Sequence, residues 1–126
     1  ARPPVMAPTD ETFGRTVEMD VVKLFRYSAI TFNGHRIHYD RPWATEVEGY
    51  PGLVVHGPLI ATLLADLYCS QFGAETLASF EFKALSPLFD THPFQICGRR
   101  DSDGSVALWT RRHDGAVSMM CKATMR

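Results

Sequence analysis

The stretch GPLIATLLADLYCSQFG, residues 57–73, decides how the rest of the chain must be arranged. Pro58 stands where a first helical residue belongs, since proline presets the helical φ. Gly73 stands where a helix stops, since glycine accepts the backbone turn that ends one. Between them Leu59, Ile60, Leu63, Leu64, Leu67 and Tyr68 recur at helical spacing. The other face carries Ala61, Thr62, Ala65 and Asp66, which is small and barely polar. A helix with so little polar surface belongs inside a protein, so other elements must wrap it.

Those elements follow it. After Gly73 the pattern changes to period two, the signature of half-buried strands. In SFEFKALSPLF (79–89) Phe80, Phe82 and Ala84 alternate with Glu81 and Lys83. PFQICGRRD (93–101) and SVALWTRRH (105–113) are joined through Asp101-Ser102-Asp103-Gly104, and Asp114-Gly115 marks a tight hairpin before AVSMMCKATM (116–125). That last run puts Val117, Met119, Cys121 and Ala123 on one face. The pattern predicts an antiparallel meander of about four strands after one helix. A further strand near residues 13–20 completes the sheet. The fold class is α+β, an antiparallel sheet wrapped around a central buried helix.

Upstream, residues 21–31 (VVKLFRYSAIT) fit either a helix or a strand: Val21, Leu24, Phe25 and Ser28 suit a helical face, yet β-branched residues are frequent. Residues 32–56 are punctuated by glycine and proline, with Asp40 placed to cap a short helix. The first twelve residues contain Pro3, Pro4 and Pro8 and no apolar core of a signal peptide; they read as a Pro-rich linker or tail before a domain at 13–126.

The bulk numbers exclude several classes. Thirteen basic residues against fourteen acidic ones offer no electrostatic footprint for nucleic acid. No run is long and apolar enough for a membrane span. Three scattered cysteines, with no CxxC pair, suggest neither zinc nor a disulfide framework and point to a reducing, cytoplasmic setting. No phosphate-cradling loop, GxSxG elbow or HExxH helix is present, and no cofactor is expected.

Chemistry concentrates in TFNGHRIHYD (31–40) and GYPGLVVHGPL (49–59). His38 suits a general base, because neutral imidazole accepts a proton near neutral pH. Asn33 cannot accept a proton, but its amide can orient a water or hold a carbonyl. The two are five positions apart, so neither helix nor strand brings them together. A turn can, and Gly34 permits one. The plain alternative is that both cap loop backbone. His35 is either a substrate contact or simply exposed, and His56 either lines the site or packs beside the helix start. Tyr39, Trp43 and Trp109 suit packing. His35 and His38 lack a third partner at metal-ligand spacing, so no metal site is expected. Gly57 opens the long helix, where free N–H groups stabilise an oxygen gaining negative charge; Pro58 removes one donor and leaves Gly57, Leu59 and Ile60. Arg99, Arg100, Arg111 and Arg112 sit on adjacent predicted strands, and either hold phosphates or form a solvated sheet face.

Together, LFRYSAITFNGHRIHYD (24–40) and EGYPGLVVHGPLIATLL (48–64) resemble the MaoC-like hydratase and dehydratase family, in the branch of mesaconyl-C4-CoA hydratase and the mitochondrial 3-hydroxyacyl-thioester dehydratases. The resemblance covers about residues 20–90. It implies a hot-dog fold, and an enzyme that adds or removes water across the α,β double bond of an acyl-CoA or acyl-carrier thioester. The family pairs an Asp with a His five positions on. His38 matches that His, whereas Asn33 stands where many members have the Asp and His35 where many have an Asn. The resemblance therefore implies that His38 carries the proton while Asn33 positions the water, with Asp40 as an alternative helper. Gly57 inherits the oxyanion role by position. Substrate contacts are expected from His35, Tyr39, His56, Arg99 and Arg111. Two hot-dog units are expected to pair, as a homodimer or a heterodimer. Two other readings stay open: a thioesterase using Asp66, and a non-catalytic hot-dog partner, for which Asn33 is the best support.

Overall fold

The computed structural model describes residues 3–126. Five strands form one antiparallel sheet: β1 (Phe13–Val17), β2 (Leu77–Ala84), β3 (Phe94–Arg100), β4 (Val106–Arg111) and β5 (Val117–Met125), in the order β1-β3-β4-β5-β2. Two α-helices, α1 (Val21–Ile30) and α2 (Gly57–Phe72), precede β2. One face of the sheet wraps α2. There Ile60, Leu64 and Tyr68 bury themselves against Ile96, Leu108 and Met119. This is the hot-dog architecture, an α+β arrangement as expected.

α2 begins and ends where its sequence predicts. Pro58 lies in its first turn, and Gly73 closes it at φ 89°, in the left-handed region that favours glycine. The helix is not buried all round, however. Pro58, Thr62, Asp66 and Ser70 form an exposed stripe, one residue per turn. The ambiguous segment 21–31 is a helix because Asp20 caps it, accepting from the Lys23 N–H at 2.9 Å. Only Leu24 and Ser28 of its four apolar-face candidates turn inward; Val21 and Phe25 stay exposed. Asp40 likewise caps a short helical turn, accepting from the Trp43 N–H at 3.2 Å.

The meander holds only for β3-β4-β5. β2 pairs with β5, not with its sequence neighbour β3, so the chain crosses the sheet between residues 84 and 94. β2 is therefore an edge, and Phe82 is 56% exposed on it. β5 also departs from simple alternation. Met119, Cys121 and Ala123 face α2, but a register shift opposite Trp109 and Arg111 turns Val117 to the other face.

That outer face is covered by the N-terminal segment. Ala7 packs with Cys97, Trp109 and Val117, and Met6 bridges to Ala116. The Pro8 carbonyl accepts from Trp109 Nε1 and from Arg111. Residues 5–12, within the stretch expected as a linker or tail, thus lie along the sheet; residues 1–2 of that stretch fall outside the described residues.

Candidate active site

α1 ends at Thr31 and the chain reverses at once. Phe32 makes the reversal at φ 54°, a conformation costly for a bulky residue, and its side chain is 96% exposed. Gly34, expected to permit the turn, has no positive φ. The Asn33 N–H donates to the Ser28 carbonyl at 2.8 Å, and Asn33 Oδ1 accepts from the His35 N–H at 3.1 Å. Its side-chain oxygen is therefore used within the loop, and the amide NH2 is left to donate. Tyr39 closes the turn by donating to the Gly34 carbonyl at 2.9 Å, its ring edge-on to Phe25.

His38 ends a short 3-10 turn, Arg36–His38, and is almost fully buried. Two hydrogen bonds lash this turn to the segment before α2. The Val54 N–H donates to the Ile37 carbonyl at 2.9 Å, and His38 Nδ1 lies 2.7 Å from the Val54 carbonyl oxygen. A carbonyl can only accept, so Nδ1 carries the proton and Nε2 keeps its lone pair. Nε2 makes no hydrogen bond among the described residues. Burial holds the His38 pKa below the ordinary 6.5; the Val54 carbonyl opposes that shift and His35 adds to it. Near neutral pH His38 is an uncharged base with an open nitrogen.

His56 lies flat against His38, ring centroids 3.7 Å apart at 17°. Its Nε2 meets Ser28 Oγ at 2.7 Å, and its Nδ1 is a buried polar atom with no partner among the described residues. Burial, then the neighbouring His38, pushes its pKa down to about 4. The next residue, Gly57, starts α2. Ile60 returns its N–H to the His56 carbonyl at 3.1 Å, which removes one of the three expected oxyanion donors. Gly57 and Leu59 make no such bond, and a Cβ on Gly57 would meet nothing within 4 Å. A bare imidazole nitrogen and an amide donor thus lie on one loop, and free helix N–H groups on the segment that the Val54 bonds tie to it. That set can move a proton beside an oxygen gaining negative charge.

An apolar cleft of about 330 Å³ adjoins this loop, lined by Phe25, Ala29, Phe32, Asn33 and Tyr39 among others. His35 is exposed and edges His38, centroids 5.8 Å apart. Arg99 and Arg111 are elsewhere. They alternate with the core residues Ile96 and Leu108, on the outer face with Trp109. Arg99 is paired with Asp10 and Asp101, and Arg111 with Glu11 and Gln95. Asp66 is exposed on α2 and paired with Arg15. Among the described residues no three His, Cys, Asp or Glu side chains are placed to hold a metal ion. Two site components had escaped sequence reasoning. Ser28 carried a weak signal, a hydroxyl on the inward face of α1 one turn after Leu24; the Val54 carbonyl carried none.

A family model for hydroxyacyl-thioester dehydratase type 2 matches residues 1–90. Mesaconyl-C(4)-CoA hydratase of Chloroflexus aurantiacus is 45% identical over 117 residues, which are 93% of this chain and 41% of that protein. The mitochondrial hydroxyacyl-thioester dehydratase type 2 of Schizosaccharomyces pombe is 41% identical over 78 residues, 60% of this chain and 26% of that protein. A MaoC-like dehydratase from Phytophthora capsici superposes with a TM-score of 0.78 at 17% identity, covering 100% of this chain and 44% of that one. The chain spans less than half the length of the curated relatives it matches.

Proposed function

The chain belongs to the hydroxyacyl-thioester dehydratase type 2 family, and we propose that it adds water to, or removes it from, the α,β double bond of an acyl thioester. The observation that carries this reading is the His38 ring, held by the Val54 carbonyl with Nε2 bare, on a turn that Val54 ties to the segment opening α2. In the hydration direction, His38 Nε2 takes a proton from water as the water oxygen bonds to the β carbon. The displaced electron pair moves to the thioester oxygen, which accepts a hydrogen bond from the Gly57 N–H. The proton then passes to the α carbon. An amide exchanges no proton, so Asn33 orients the water and His38 both takes and returns the proton. The acyl group rests in the apolar cleft lined by Asn33 and Tyr39. Arg99 and Arg111 take no part, since both are paired on the far face of the sheet.

A second hot-dog unit, another copy or part of a longer chain, covers the open β2 edge and Phe82, because an uncovered apolar edge invites non-specific pairing. The thioesterase alternative loses its carboxylate, as Asp66 sits in an exposed ion pair on the side of α2. The test is the full protein mixed with crotonyl-CoA and with mesaconyl-CoA. Loss of enoyl absorbance without release of free thiol is the expected result. Thiol release would indicate hydrolysis instead, and no turnover of either substrate would favour a non-catalytic partner.

A further inference from the structure

We infer that His56 is a positioning residue: clamped by Ser28 and lying flat on His38, it keeps the His38 ring seated on the Val54 carbonyl, in the tautomer that leaves Nε2 open. This rests on the hydratase reading above. His56 links three elements. Its Nε2 meets Ser28 Oγ on α1 at 2.7 Å, its ring covers His38 on the 3-10 turn at 3.7 Å, and its carbonyl accepts the Ile60 N–H that begins α2. Tyr27 closes on the ring edge-on, centroids 4.7 Å apart, so His56 is fixed by Tyr27 as well as by His38. The base and the start of α2, which sit on separate segments, are linked by this side chain as well as by the Val54 bonds.

Packing alone does not account for an imidazole here. His56 is 1% exposed and its Nδ1 has no partner among the described residues, an uncompensated cost that an apolar ring of similar size would avoid. The groups facing the pair are His35, which edges His38, and Tyr27 from α1. Burial keeps His56 uncharged through the neutral range, so its face presents no positive charge to His38 as the proton arrives.

The test reads the His38 tautomer by nitrogen-15 NMR of the imidazoles, beside steady-state kinetics, in the full protein. Wild type shows His38 protonated at Nδ1 alone. His56→Phe keeps a flat ring but loses the Ser28 clamp, and gives at most a partial mixture. His56→Ala gives a mixture, with kcat down by about 10- to 100-fold and KM within about twofold. Should His56→Ala not fold, Ser28→Ala carries the test: removing the clamp gives a partial mixture and a smaller loss of kcat. A single unchanged tautomer in His56→Ala, or in Ser28→Ala where the first does not fold, overturns the inference. Equal loss of the tautomer in His56→Phe and His56→Ala also overturns it. If the chain hydrates nothing, the kinetic arm is silent while the tautomer still decides, so the two failures are distinct.

Discussion

Two polar clusters stand out in this molecule, one at the start of α2 and one on the outer face of the sheet, and they differ in what is left unpaired. On the outer face Arg99 and Arg111 are both met within the chain: Arg99 by Asp10 and Asp101, Arg111 by Glu11, Gln95 and the Pro8 carbonyl. Around His38 the polar atoms are positioned but not consumed. His38 Nε2, the Asn33 amide NH2 and the N–H groups of Gly57 and Leu59 make no protein hydrogen bonds among the described residues. A cluster that satisfies itself builds the fold. One whose geometry is fixed while its reactive atoms stay open has been prepared for something else, and leaving them open costs stability.

The sharpest way to break that contrast is to remove the base. His38→Ala should lower enoyl-thioester hydration on the order of 10³-fold, read as kcat/KM, because the stacked His56 has Nε2 on Ser28 and Nδ1 buried and cannot take over the proton. Gly57→Pro deletes one free N–H at a helix start, where a Cβ meets nothing within 4 Å. It should cost about 10²-fold in kcat. The outer face should behave oppositely. Arg111→Ala leaves Glu11 half-buried and unpaired, and should lose about 1–2 kcal/mol in urea unfolding with kcat/KM unchanged.

Acid should separate the clusters more gently. The pKa of His38 is lowered in the folded chain, so it stays unprotonated below the ordinary 6.5. The acid limb of kcat/KM for hydration should therefore fall below pH 6.5. The stability sign follows from His56. Its folded pKa of about 4 lies under its unfolded value, so the unfolded chain binds the proton first. Stability from this group is full above about 6.5 and declines as pH falls toward 4, by up to about 3 kcal/mol. His56→Phe should flatten that decline in a pH series of unfolding curves.

Much of the fold was legible because two elements carry strong periodicity. α2 declares itself through leucines and tyrosine between Pro58 and Gly73, and β3-β4-β5 through alternation and tight turns. β2 was misplaced because adjacency in sequence does not fix adjacency in a sheet; only the crossover shows that it joins β5. Val117 changed faces because of a register shift that no residue type announces. At the site, the five-residue spacing of Asn33 and His38 identified the loop only through a family resemblance, while residue types alone left it open. The Ser28–His56 contact spans 28 positions and depends on tertiary packing. Arg99 and Arg111 remained ambiguous for a related reason: Asp10 and Glu11 lie in a segment whose prolines made it look like a tail.

The most direct measurement places His38→Ala and Arg111→Ala side by side on one enoyl-CoA substrate, each rate normalised to the folded fraction from unfolding curves. The predicted result is a crossing, with His38→Ala folded and inactive, and Arg111→Ala less stable and fully active. Turnover retained by His38→Ala and lost by a folded Arg111→Ala would contradict the account and move the chemistry to the outer face of the sheet.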